Sequence, residues 1–154
     1  MTPAIPAVFD CSLFAQALIN PKGPAGACVT AAQMGYVHVF VSDHILRELR
    51  ALPAKLPARL GVTTERVDRL ILDLSKYIEP VEDVPADFTY DRDPDDAPYV
   101  NLASATNARF LVTRDRDLLD LMSSPPFRRR FPELQIVEPP AFLREIEAAF
   151  AKPG

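Results

Sequence analysis

Four short runs rich in β-branched and aromatic residues each lead into a longer stretch with helical spacing of apolar positions. "AVF" (7–9), "YVHVFV" (36–41), "FLVT" (110–113) and "LQIV" (134–137) have the composition and length of strands. Strands separated by helices must cross over and run parallel. The pattern therefore predicts an α/β fold, a three-layer α/β/α sandwich with a mainly parallel central sheet. One predicted helix carries Leu13, Phe14, Ala17 and Leu18, and "AGACVTAAQM" forms a second. Ser42 is placed to cap "SDHILRELRAL", which Pro53 and Pro57 are expected to end. "VTTERVDRLILDLSKYI" (62–78) puts Val67, Leu70, Ile71, Leu74 and Ile78 on one helical face. "EPVEDVPADFTYDRDPDD" reads as a long acidic loop, followed by a helix through "YVNLASATN". "RDRDLLDLM" reads as a short helix or turn, and "PAFLREIEAAFA" as a closing amphipathic helix. With no repeat and no linker, the 154 residues are expected to form a single domain over 1–154, its core at about 7–146.

Apolar residues are 48% of the chain and charged residues 25%, the balance of a globular protein and not of a disordered one. The N-terminal stretch "MTPAIPAVFD" lacks the pattern of a secretory signal, and no run approaches the roughly 20 apolar residues that span a bilayer. A cytoplasmic location is expected. Cys11 and Cys28 are too few for a disulfide framework or a structural zinc site. The net charge of −4 lacks the basic footprint usual in nucleic-acid binders, but charge is segregated along the chain. Six basic residues against three acidic ones lie between Arg47 and Arg69, and eight acids against one base between Glu79 and Asp96. The first stretch, with "RRR" at 128–130, is the expected surface for RNA or a partner.

In open parallel sheets, sites form outside the carboxyl ends of the strands. Asp10 follows the first strand directly, and Asp115 follows "FLVT" with only Arg114 between. Parallel neighbours would project both carboxylates at one rim, although each could instead cap the helix that follows. Pro98 must sit in a first helical turn, which puts Asp95 or Asp96 at or beside a cap. Glu48 lies next to Leu49 near a buried face, with Arg47 and Arg50 available for a solvated ion pair. Gathered at one rim, such acids would repel: two unit charges about 4 Å apart cost about 4 kcal/mol at an effective dielectric near 20. A cation among them removes that cost, and oxygen donors without His or Cys select Mg²⁺ or Mn²⁺. His38 and His44 are read as structural.

"VFDCSLF", "VSDHILREL", "DRDPDDAPYVNLA", "FLVTRDRDLLDL" and "IVEPPAFL" occur in this order. Together they resemble the motifs of the PIN-domain superfamily, in its bacterial branch of toxin–antitoxin toxins, over about residues 7 to 146. The resemblance implies a metal-dependent ribonuclease that uses Mg²⁺ or Mn²⁺. It implies an acidic pocket of Asp10, Glu48, Asp96 and Asp115, serving as catalytic residues and metal ligands, with Asp117 as an auxiliary acid. Ser12 and Thr113 are candidates to orient those ligands, and Arg114 and Arg116 to contact RNA. A cognate antitoxin and a homodimer are the implied partners, with no membrane. Ser12 and Ala97 stand where the branch commonly has asparagine. The competing expectation is a catalytically weak module of the same fold that acts by binding a small protein. A receiver-like domain is disfavoured, because "DCSLF" has no second aspartate two residues on.

Overall fold

The computed structural model describes residues 2–151. Five strands alternate with eight helices: β1 (Ile5–Phe9), α1 (Cys11–Ile19), α2 (Pro24–Gln33), β2 (Val37–Ser42), α3 (Asp43–Lys55), α4 (Thr64–Leu74), β3 (Ile78–Val81), α5 (Ala97–Thr106), β4 (Phe110–Val112), α6 (Arg116–Leu119), α7 (Pro125–Arg130), β5 (Gln135–Val137) and α8 (Pro139–Phe150). The sheet order is β3-β2-β1-β4-β5, and every pairing is parallel. The helices flank this sheet in an α/β/α sandwich, with α5 packed across β1, β2 and β4.

The central strands are apolar on both faces, as a sheet covered on both sides requires. Ala7, Val8, Val39, Leu111 and Val112 are fully buried. Phe9 packs edge-on against Phe142 with ring centroids 5.8 Å apart, and Phe142 meets Phe110 at 5.3 Å, which fastens α8 to β1 and β4. Gly26 lets α2 approach the preceding turn, since a Cβ there would stand 2.0 Å from the carbonyl oxygen of Pro21.

Three expectations are corrected. Pro53 does not end α3, which runs on to Lys55; it lies in the last turn, where the missing amide costs one hydrogen bond and the Leu56 amide still reaches Leu52 at 2.9 Å. The helix drawn over 62–78 stops at Leu74, and Ile78 opens β3 instead of extending the helical face. The rest of β3, "EPV", opens the stretch expected to be an acidic loop and contains Pro80. Proline lacks a donor and is tolerated on an edge strand, which is where β3 lies. Among the described residues no helix is long and apolar enough to cross a membrane.

Candidate metal centre

β1 and β4 are neighbours in register, Phe9 opposite Val112, so the residues that follow them leave the sheet side by side. The Asp10 amide donates to the Val112 carbonyl at 3.2 Å. The Asp10 carboxylate accepts from the Leu13 amide at 2.9 Å, from the Ser12 hydroxyl at 2.8 Å and from the Thr113 hydroxyl. It therefore caps α1 and stands at the rim; the two readings are compatible. Asp10 is only 3% exposed. Burial pushes its carboxyl up to about 6 against the pull of these donors, and the charge of Asp115 adds to the rise.

Thr113 joins two acids. Its hydroxyl donates to Asp10 and accepts from the Asp115 amide at 2.9 Å. Asp115 caps α6 by accepting from the Asp117 amide at 2.8 Å. Asp10 and Asp115 thus share one rim, as their strand positions predict.

Asp96 differs from both. It ends a short turn of 3₁₀ helix (Pro94–Asp96) immediately before α5, but its side chain caps nothing. Asp96 takes the N-cap position of α5, as Pro98 in the first turn predicts, while the capping hydrogen bond belongs to Asp93, whose carboxylate accepts from the Asp95 amide at 3.2 Å at the start of the 3₁₀ turn. The Asp96 residue is 5% exposed, and its Oδ2 is buried without a hydrogen-bond partner. Burial, followed by the charges of Asp115 and Asp93, drives this carboxyl well above the usual carboxylate range. Oxygens of Asp93, Asp96 and Asp115 all lie within 4.8 Å of one another. Three carboxylates with no histidine or cysteine, one of them holding an orphaned buried oxygen, fit a hard divalent cation such as Mg²⁺ or Mn²⁺.

Glu48, from α3, lies at the other end of the polar line. Its Oε1 accepts from the Tyr99 hydroxyl, which in turn accepts from the Cys11 amide at 3.1 Å. His44 Nε2 is 3.0 Å from the same Oε1, one helical turn back. Glu48 thus pairs with His44 and Tyr99 and not with an arginine, and it is outside the group formed by Asp93, Asp96 and Asp115. Burial, reinforced by Glu48, raises the Tyr99 phenol far above its ordinary value, so it remains a donor. Burial and the charges of Glu48 and Asp10 push the Cys11 thiol up to about 12, which makes it an inert neighbour.

The acidic loop is tied down over α6. Arg92 meets Asp117 at 2.6 Å and Asp120 at 2.8 Å, and the Tyr90 hydroxyl donates to the Asp117 carbonyl at 2.9 Å. Asp117, expected as an auxiliary acid, is therefore engaged by Arg92. Arg114 and Arg116 are exposed beside the rim. Two basic residues of the expected RNA surface are engaged within the protein: half-buried Arg66, and Arg130, which remains exposed. Arg66 donates to the carbonyls of Gly61 and Leu18, and Arg130 donates to the Asp87 carbonyl while lying over the Phe88 and Phe131 rings.

Asp93, Tyr99 and His44 were not picked out from the sequence. Their signals were local: Asp93 and Tyr99 lie three residues either side of Asp96, and His44 is four before Glu48. No sequence signal marks Arg92 as the partner of Asp117.

A family model described as the PIN domain matches residues 6–117, a span that holds all of β1 but its first residue, β4 and every acid from Asp10 to Asp117. An uncharacterized protein of the archaeon Methanocaldococcus jannaschii is 27% identical over 146 residues, covering 93% of this chain and 92% of that protein. With the family model matched across most of its length, on the part that carries the acidic rim, the chain belongs to the PIN domain family.

Proposed function

We propose that the protein is a metal-dependent endoribonuclease that hydrolyses RNA phosphodiester bonds. PIN domains are generally a metal-dependent nuclease fold, and this chain has an acidic group that could bind a metal. The observation that carries the reading is Asp96, which has a buried, partnerless Oδ2 and a carboxylate grouped with those of Asp115 and Asp93. A carboxylate so placed is costly unless a cation completes it.

Asp93, Asp96 and Asp115 would hold the ion, with Asp10 on the flank and Glu48 closing the line through Tyr99. Mg²⁺ or Mn²⁺ bound there supplies an acidified water and offsets charge developing on the phosphate during in-line displacement. Thr113 and Ser12 fix the orientation of Asp10 through their hydroxyls. Arg114 and Arg116, exposed at the same rim, attract the RNA backbone. The motif likeness supports the finer assignment: the toxin of a type II toxin–antitoxin pair, cytoplasmic, homodimeric and covered by a small antitoxin. RNA incubated with Mn²⁺ and the purified protein should be cut, and Asp96→Asn or Asp115→Asn should abolish cutting. Unchanged cleavage by either pure variant contradicts the proposal.

A second reading, a catalytically weak binding module, draws on one observation. Asp10 and Glu48 already have internal donors, which leaves fewer free oxygens for an ion. Calorimetric titration with Mn²⁺ separates the two, because binding weaker than millimolar favours the module.

A further inference from the structure

Beside the acidic rim lies a cleft of about 280 Å³ that the proposed chemistry does not use. Ser42, Asp43, His44 and Arg47 of the β2–α3 junction form one wall. Val81, Asp83, Val84 and Ala86 form another, and Pro98 and Asn101 of α5 form the third. It is at the same carboxyl end of the sheet as the acids. Pro98 and Asn101 flank Tyr99 in the chain, and His44 stands 3.0 Å from Glu48, so the cleft begins where the polar line ends.

The walls are ordered. Asn101 is 6% exposed, and its side chain both accepts from the Phe88 amide at 2.8 Å and donates to the Phe88 carbonyl at 3.0 Å. That pair pins the loop after β3 to α5. The Ser42 hydroxyl, by accepting from the Ile45 amide, holds the start of α3 in place.

We infer that this cleft receives one nucleobase of the RNA, on the Glu48 side of the acids, and prefers bases that carry an exocyclic amino group. The inference rests on the ribonuclease reading for its substrate class. A volume near the small end of ligand pockets, about 300–1,000 Å³, suits a single base with part of its sugar. Val81, Val84, Ala86 and Pro98 offer apolar surface to a base splayed from a single strand, the form in which RNA sequence is usually read. The polar lining discriminates. Asp43 and Asp83 offer carboxylate oxygens able to accept from the amino groups of cytosine, adenine or guanine. Uracil presents a carbonyl oxygen where cytosine has its amino group, and carboxylates repel that oxygen, which leaves uracil only its N3–H to donate. Arg47 is exposed at the same wall and can pair with the phosphate attached to the bound base.

The test titrates ¹⁵N-labelled protein, without metal, with the four 5′-mononucleotides and follows the amide resonances. Cytidine, adenosine and guanosine monophosphates should shift Val84, Ala86 and their cleft neighbours, with uridine monophosphate about tenfold weaker. Asp83→Asn and Asp43→Asn, each checked for an unchanged unfolding temperature, should reduce that discrimination, and Arg47→Ala should weaken all four nucleotides alike. Equal shifts by all four nucleotides, shifts confined elsewhere, or full discrimination in both acid variants overturn the inference. Loss of RNA cleavage in the wild-type protein would overturn the ribonuclease reading instead, a separate outcome because these titrations need no catalysis.

Discussion

The two ends of the polar line are built from the same residue type and treated in opposite ways. At the Glu48 end the carboxylate accepts from the Tyr99 hydroxyl and has His44 Nε2 3.0 Å away, close but without hydrogen-bond geometry, and at Asp10 two hydroxyls and an amide point inward. At the Asp96 end three carboxylates crowd together, and one buried oxygen has no donor at all. Satisfied acids rigidify a fold; crowded, unsatisfied ones raise its energy until a cation arrives. The difference separates the part of the rim that is complete from the part built to be completed.

The largest expected effect is on pH dependence without metal. Asp10 rises from the ordinary 3.8 to about 6, so the folded state holds its proton more tightly than the unfolded chain does. Stability from this carboxyl is fully present below about pH 4 and is lost as pH rises through about 6, a swing of about 3 kcal/mol. Urea unfolding in chelator should show that decline on top of the one Asp96 contributes, and Asp10→Asn should remove its own share, about 3 kcal/mol, and leave the rest. A decline of the same size in the variant would show that Asp10 is not its source.

Thr113→Val should come next. It leaves Asp10 short of one donor and the Asp115 amide without its acceptor, which should cost about 1–3 kcal/mol in the same unfolding assay. A neutral result would mean the hydroxyl does not bind the two acids together.

Arg92→Ala sharpens the contrast from the crowded end. Without its bonds to Asp117 and Asp120, the loop bearing Asp93 should lose its register, and Mn²⁺ affinity should fall about tenfold. Arg92→Lys should recover part of it, and the unfolding temperature in chelator should hardly move. Glu48→Gln should have the smallest effect, a change in Mn²⁺ affinity of about threefold or less, since Glu48 lies outside the group of Asp93, Asp96 and Asp115. A loss as large as that of Arg92→Ala would make Glu48 a direct participant.

Asp10 and Asp115 were legible as acids at strand ends, whereas the adjacency of β1 and β4 that brings them to one rim belongs to the assembled sheet. Asp96 was legible only through the motif likeness, and its missing cap bond was not, because capping depends on backbone angles that a run of aspartates leaves open. β3 was hidden by Pro80, whose cost vanishes on an edge that only the assembled sheet defines. Tyr99, Arg92 and the nucleobase cleft depend on side chains meeting across elements distant in the chain, which no local pattern encodes.

Calorimetric titration of Mn²⁺ into wild-type protein and Asp96→Asn at neutral pH tests the central claim most directly. Binding well tighter than millimolar in the wild type, weakened in the variant by more than the roughly 10–100-fold typical of supporting groups, is the predicted result. Equal affinity in the two proteins, or no such binding in the wild type, would contradict a metal centre at the crowded end of the rim.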